Sequence, residues 1–358
     1  MHIRTLDGGF GTYAVHVYKT EKAKTDVSRR FWSFELALNR DYSQLFELHK
    51  RIACNGSETL FTTHYQASVP RLMMDGWDYE DIFNTFEMSY QIPKFIMNNE
   101  PDSVFVSCGP FAVFMQDNTE YSDKQNHPLT KSGLFNERLA QLYYQIQIST
   151  LCLIDPDVIV FETLGLIEEA QVIIKVMKEQ HPTIKYGLSF AFKDGISTYA
   201  ASDIQHCFMV VAESEATYFG LNCTDPKLVT NLLTTIKNIA TPHKQLSLIL
   251  KPNCGQLTFM PDSRVITNVK AKKIVDYIDE WRSLLPIWGI GGCCNVLPNE
   301  ILSISKKLNC KLQKTNILED KLDFYQSNLA PSTAPDSLKA VGKECTLLLD
   351  EFKKALYF

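Results

Sequence analysis

Thr217-Tyr218-Phe219-Gly220-Leu221-Asn222-Cys223-Thr224 begins as a run of β-branched and aromatic residues and ends in a polar turn. Residues 227–239 follow with apolar side chains at helical spacing. The same unit recurs along the chain. Strand-like runs occupy 2–6, 59–63, 104–107, 158–161, 185–190, 246–250 and 286–289. Amphipathic stretches occupy 42–54, 79–98, 135–154, 166–179, 200–212, 271–284 and 299–308. Strand and helix alternate eight times, which predicts parallel strands with crossover helices, an α/β architecture that closes into a (β/α)8 TIM barrel of ~250 residues plus insertions. A doubly wound open sheet is the rival arrangement.

The placing of the reactive residues favours the barrel. Asp7, Glu162, Cys223, Pro252-Asn253 and Cys293-Cys294 each stand just past the C-terminal end of an expected strand, and in a barrel those ends share one mouth. Residues 1–310 are expected to form the barrel. Residues 12–40 read as a long polar and aromatic excursion, a candidate lid over the mouth. Residues 311–358 are a C-terminal extension: 328–337 is polar, and 338–356 has the spacing of a helix that packs on the barrel or on a partner subunit.

Composition limits the function classes. Apolar residues make up 45% and charged residues 22% of the 358, which is ordinary for a folded domain and excludes bulk disorder. A net charge of −5 does not suit a nucleic-acid backbone as the main partner. No signal pattern and no apolar run long enough for a bilayer is present, so no membrane partner is expected and the location reads as cytoplasmic. In that compartment the ten cysteines are reduced thiols: core filler, ligands or nucleophiles. No dinucleotide fingerprint is expected, since Gly8-Gly9-Phe10-Gly11 does not read as opening a helix in the required way. The chain left over beyond a barrel is too short for a folate or cobalamin module.

Cys223 is followed 70 positions later by Gly291-Gly292-Cys293-Cys294. Neighbouring cysteines are seldom needed for packing, and the glycines before them permit the tight turn that would aim both thiols at one point. Thiolate donors select zinc, and three protein ligands leave a fourth tetrahedral position for a substrate. A vicinal disulfide, or three unrelated buried cysteines, would fit the spacing as well.

Taken together the motifs resemble the homocysteine S-methyltransferase family. The matching pieces, in order along the barrel, are Leu6-Asp7-Gly8-Gly9-Phe10-Gly11-Thr12, Trp32-Ser33, Tyr65-Gln66-Ala67-Ser68, Gly109-Pro110 with Glu120-Tyr121, Phe161-Glu162-Thr163, Ser189-Phe190 with Lys193-Asp194-Gly195, the segment 220–224, Pro252-Asn253 and the segment 291–294. The resemblance implies one Zn2+ per chain held by Cys223, Cys293 and Cys294, which activates a substrate thiol. It assigns Asp7 and Glu162 to the ammonium group of the acceptor, with Gly8, Gly9, Thr62 and Asn222 as further substrate-binding positions. The implied reaction moves a methyl group from S-methylmethionine or S-adenosylmethionine to homocysteine, giving methionine. Selenocysteine is an alternative acceptor, and a zinc-binding barrel that has lost catalysis and senses an amino acid is the alternative from another class. Small molecules are the implied partners of a monomer or homo-oligomer.

Phe10, Trp32, Tyr65, Phe111 and Tyr121 are candidate aromatic faces for a methylated cation. Several positions depart from the family pattern. Asn295 stands where an arginine commonly follows the paired cysteines, Thr63 and His64 replace an asparagine and a threonine, and Lys251-Pro252-Asn253-Cys254-Gly255 replaces Tyr-Pro-Asn-Ser-Gly. These changes fall on donor recognition and fine positioning and leave the three metal-binding cysteines intact. His64 is expected as a hydrogen-bonded neutral histidine, and Cys254 as a candidate fourth ligand when substrate is absent.

Overall fold

Eight short segments carry the architecture: β1 (Arg4–Thr5), β2 (Leu60–Phe61), β3 (Val104–Cys108), β4 (Val158–Leu164), β5 (Lys185–Phe190), β6 (Tyr218–Asn222), β7 (Ser247–Lys251) and β8 (Gly289–Ile290). The structure is a computed structural model that describes residues 2–21, 31, 33–131, 134–239, 246–255, 257–259, 265–267, 271–310 and 335–357. All neighbouring barrel strands pair in parallel, and each lies beside its predecessor in sequence. β8 returns to β1, and a parallel bridge between Leu6 and Thr59 joins the β1 side to β2. A doubly wound sheet would reverse its strand order partway; here the order runs round without reversal, as the barrel expectation requires.

The strands are buried on both faces because helices cover the outside and side chains fill the inside. β4 is buried at every position. Leu6, Phe61, Phe105, Val158, Val160, Tyr218 and Ile249 pack within the barrel, with Phe105 stacked on Trp288 at 5.2 Å. A filled interior leaves the rim as the place for chemistry.

The covering helices start where the sequence supplies caps. The carboxylates of Asp41, Asp203 and Asp225 accept backbone N–H bonds at the starts of Tyr42–Cys54, Ile204–Ala212 and Pro226–Asn238, which satisfies amides that have no partner within the helix. Most expected boundaries shift by one to three residues. The larger change is at 271–284, where a 3-10 turn, Ile274–Asp276, precedes a shorter helix, Ile278–Leu284.

The segment 12–40 differs more. It does not open as a loop: α1 spans Phe10–Glu21, and a short helical turn follows at Glu35–Leu38. Phe10, Tyr13 and Ala14 are buried in the core, so this part of the segment is a packed helix. Residues 22–30 and 32 lie outside the described residues. The Gly8-Gly9 turn leads directly into that helix. It is no phosphate cradle, because a Cβ on Gly9 would lie 2.3 Å from the Cys293 carbonyl oxygen. The turn is packed against the cysteine turn.

The C-terminal helix, α2 (Leu338–Tyr357), packs on this chain's own barrel. Phe352 is fully buried among Phe111, Phe114 and Tyr143, and Cys345 lies 3.7 Å from the Tyr79 hydroxyl. Among the described residues no helix is long and apolar enough to cross a membrane.

Two predictions follow from this packing. Truncating Phe352 to Ala should cost about 3–5 kcal/mol in chemical denaturation; a loss under ~1 kcal/mol would mean that α2 is a loosely attached appendage. Glu169 is buried with Oε1 accepting from the Phe111 N–H at 2.7 Å and the Tyr144 hydroxyl at 2.6 Å. Burial pushes it up from 4.5 to about 7. Between those values the folded state holds a proton that the unfolded state has released, so its contribution is full below about 4.5 and fades as pH rises through about 7. Unfolding free energies at about pH 5 and about pH 8 should differ by roughly 2–4 kcal/mol more in wild type than in Glu169→Gln. An equal pH response in the two proteins contradicts the assignment.

Candidate active site

Cys223 is the first residue past β6 and sits in the left-handed region at φ 48°. Its N–H donates to the Lys251 carbonyl at 3.2 Å, while Gly292 N–H reaches the Asp7 carbonyl at 2.9 Å and Cys293 N–H reaches the Pro252 carbonyl at 2.8 Å. These bonds bind the ends of β6, β7, β8 and β1 to one another. Gly292 is required for the tight turn: a Cβ there would lie 2.3 Å from the Val296 side chain.

The result is a cluster of sulfurs. The Sγ atoms of Cys223, Cys293 and Cys294 all lie within 4.8 Å of one another, with Cys223 and Cys293 2.7 Å apart. None of the three is in a disulfide, so neither a vicinal disulfide nor three scattered thiols describes the site. One tetrahedral ion bound through ~2.3 Å bonds would hold its sulfurs about 3.8 Å apart, so Cys223 and Cys293 would part slightly to take it. Hydrogen bonds from Cys293 and Cys294 draw the Cys223 thiol well below its usual value, against the effect of burial. The same bonds push Cys293 up to about 12 and Cys294 well above the ordinary thiol range. A divalent cation bound here would displace the remaining thiol protons. A second donor group, His2, Glu58 and Cys310, is unrelated to this rim; His2 is exposed and its ring nitrogen lies 2.8 Å from Glu58.

Next to the thiols stand two buried carboxylates. Asp7 Oδ2 accepts the Phe61 N–H at 2.7 Å, and Glu162 Oε2 accepts the Ser107 hydroxyl at 2.5 Å. Their other oxygens face Lys251, whose Nζ is 2.9 Å from Asp7 Oδ1 and 3.6 Å from Glu162 Oε1. It also lies over the Phe61 ring, 3.4 Å from its centroid. Burial raises Asp7 to about 6 in spite of the lysine, and raises Glu162 as well. Burial works against the charge on Lys251, but Asp7 and Glu162 outweigh it and hold the ammonium above the usual lysine range.

Thr62 and Asn222, assigned to substrate by resemblance, are engaged with the protein. The Thr62 hydroxyl lies 2.7 Å from His64 Nδ1 and accepts the Ser107 N–H at 3.1 Å. His64 Nε2 sits 3.0 Å from the Phe86 carbonyl, and burial drives the imidazole down to about 3; it is the neutral, hydrogen-bonded histidine expected. Asn222 accepts from Thr163 N–H at 3.0 Å and the Ser189 hydroxyl at 2.7 Å, and donates to the Thr163 hydroxyl at 2.8 Å. It links the ends of β4, β5 and β6. Cys254 N–H donates to the Cys294 carbonyl at 3.2 Å, so its backbone braces the site, but its sulfur is not part of the three-thiol group.

Of the candidate aromatic faces, Tyr65 and Tyr121 stand at the thiols. Both phenols are raised, first by burial and then by neighbouring charges that include Cys223, and Tyr121 hydrogen-bonds the Cys223 side chain. Phe10 stacks on His49 at 4.5 Å and Phe111 packs in the core; Trp32 lies outside the described residues. Tyr199, which no motif indicated, packs edge-on against Tyr121 at 5.1 Å and senses Cys223 and Cys294. Lys251 was visible only as a departure from pattern. A lysine closing an apolar strand is itself a signal, since lysines are almost never buried without partners.

A parallel barrel whose rim gathers three thiols beside two carboxylates defines a class: an α/β-barrel protein with a cysteine cluster able to hold a metal ion at its mouth. Comparison with known proteins makes this specific. The family model described as homocysteine S-methyltransferase matches residues 4–308, and the chain belongs to that family. It is 25% identical over 320 residues to homocysteine S-methyltransferase 3 of Zea mays, covering 85% of this chain and 89% of the relative. It is 23% identical over 323 residues to selenocysteine Se-methyltransferase of Brassica oleracea var. italica, covering 85% and 88%. The metallated form of the homocysteine methyltransferase MmuM from Escherichia coli has the same fold, with a TM-score of 0.68 at 19% identity over 86% of this chain and 96% of the other.

Proposed function

We propose that the chain is a zinc-dependent methyltransferase that moves a methyl group from S-methylmethionine, or from S-adenosylmethionine, to the thiol of homocysteine and so forms methionine. The observation that carries this reading is the meeting of Cys223, Cys293 and Cys294 beside Asp7 and Glu162 at one rim. The donor set fits zinc: three sulfurs, one side left for a ligand, and protons that a cation would displace. Zinc held by these cysteines would supply the positive charge that keeps an acceptor sulfur as thiolate at neutral pH, where a free thiol of pKa ~8.5 is mostly protonated.

The protein's own groups do the rest. Asp7 and Glu162 set a negative field for the acceptor's ammonium, beside the sulfurs. Tyr65, Tyr121 and Tyr199 offer ring faces and edges to a methylated cation. Asn222 and Thr163 fix the backbone that carries Cys223. In the transfer the acceptor's thiolate electron pair forms the new bond to the methyl carbon. The old bond to the sulfonium sulfur breaks with its electrons staying on that sulfur, so a cationic donor leaves as a neutral thioether and the thiol proton goes to solvent. With S-methylmethionine both products are methionine. The reading places the enzyme in methionine formation in the cytoplasm, with residues 1–310 as the catalytic barrel and 311–358 as its extension. A selenol acceptor is the second reading, favoured by the similarity to the Brassica enzyme.

Two measurements test this. Purified protein should carry about one zinc per chain, and Cys223→Ser should lose it to a chelator well before wild type does; equal retention would remove Cys223 from the ligand set. Zinc-loaded wild type given homocysteine and S-methylmethionine should form methionine, and Cys294→Ala should fall to background. If wild type does no better than that variant, the barrel is a binder and not a catalyst.

A further inference from the structure

The cation that the Asp7–Glu162 pair calls for is already present. Lys251 Nζ lies 2.9 Å from Asp7 and 3.6 Å from Glu162, over the face of Phe61. All three charged side chains are buried. Each carboxylate has its other oxygen tied to the protein, Asp7 to the Phe61 N–H and Glu162 to the Ser107 hydroxyl. Both carboxylates are thus paired without any ligand.

We propose that Lys251 is a specificity-determining residue that supplies this cation from within the fold, so that the acceptor range extends to thiols with no free ammonium group. The inference rests on reading the rim as the acceptor site. In a site that depends on the ligand's ammonium, a thiol lacking it leaves buried charges unpaired, and such sites reject the shorter analogue by ~10⁴–10⁵-fold. Lys251 removes that penalty. Homocysteine still fits, because two ammonium groups and two carboxylates balance, but its amine displaces or shares an existing partner and gains less than in an empty pocket.

The probe is 4-mercaptobutyrate, which is homocysteine with hydrogen in place of the amine. Wild type should methylate the two thiols with kcat/KM values within about 30-fold, far less than a ligand-dependent site allows. Lys251→Met should widen that ratio at least tenfold in favour of homocysteine, mainly through KM. Lys251→Gln, which keeps a donor for Asp7, replaces it should the methionine variant not fold. A second arm does not depend on metal or turnover: calorimetry of metal-free protein with L-methionine and with 4-(methylthio)butyrate should show the same narrow ratio in wild type and the same widening in the variant. A wild-type preference for the amine-bearing partner above about 30-fold, or a ratio unmoved by substituting Lys251, overturns the inference. Failure of wild type to methylate either thiol overturns the proposed function instead, and the binding arm then decides the role of Lys251 alone.

Discussion

Backbone hydrogen bonds between strand ends hold the rim together, and the chemistry depends on them. Gly291 N–H to the Leu250 carbonyl, Gly292 N–H to the Asp7 carbonyl and Cys293 N–H to the Pro252 carbonyl continue the pairing of β8 with β7 and β1 past the last regular residue of each strand. Cys223 N–H to the Lys251 carbonyl does the same between β6 and β7. Residues more than two hundred positions apart therefore share one surface with fixed spacing. Parallel pairing sends every strand's C-terminal end to the same side, so no loop has to travel to bring Asp7 to Cys293.

Such a rim concentrates negative charge. Three thiols and two carboxylates meet above the packed barrel interior, and burial disfavours their ionised forms. The fold answers in two ways. At the thiols, mutual hydrogen bonds draw Cys223 down and push Cys293 and Cys294 up. At the carboxylates the answer is covalent to the chain: Lys251, at the last position of β7, brings its own ammonium. The same ammonium also acts on Cys293, whose ionised form it favours, so this lysine bears on both the carboxylates and the sulfurs of the rim.

The parts of this arrangement that sequence makes legible are those with a period or a conspicuous residue type. The eight strands and most of the helices are written in apolar spacing, and Cys223, Cys293 and Cys294 stand at strand ends where a barrel brings them together. Residues whose role depends on a partner far along the chain are less legible. Residues 12–21 form a helix that buries Tyr13 and Ala14, a seat that depends on partners elsewhere in the chain. Thr62 and Asn222 occupy the right places for ligand contacts, yet His64, Ser107, Thr163 and Ser189 use their polar atoms first. The C-terminal spacing announced a helix but not its seat, which the buried contacts of Phe352 supply.

The use of Asn222 as a brace explains a costly feature beside it. Thr163 is β-branched and sits at φ 63°, a conformation that costs of order 1–3 kcal/mol and persists only when its surroundings over-determine it. They do so here: its N–H and its hydroxyl both bond the same amide of Asn222, which Ser189 holds in turn. The pairing of β4 with β5 shifts register between Phe161 and Leu164 to accommodate this. Glu162, between those two positions, is aimed at the rim by the irregularity, and the Thr163 hydroxyl comes within 3.9 Å of the Cys223 sulfur. Strain at Thr163 and the left-handed turn at Cys223 therefore meet at one place: Asn222 ties β4 to β6 across β5, and a carboxylate and a thiol come to the same side of the rim.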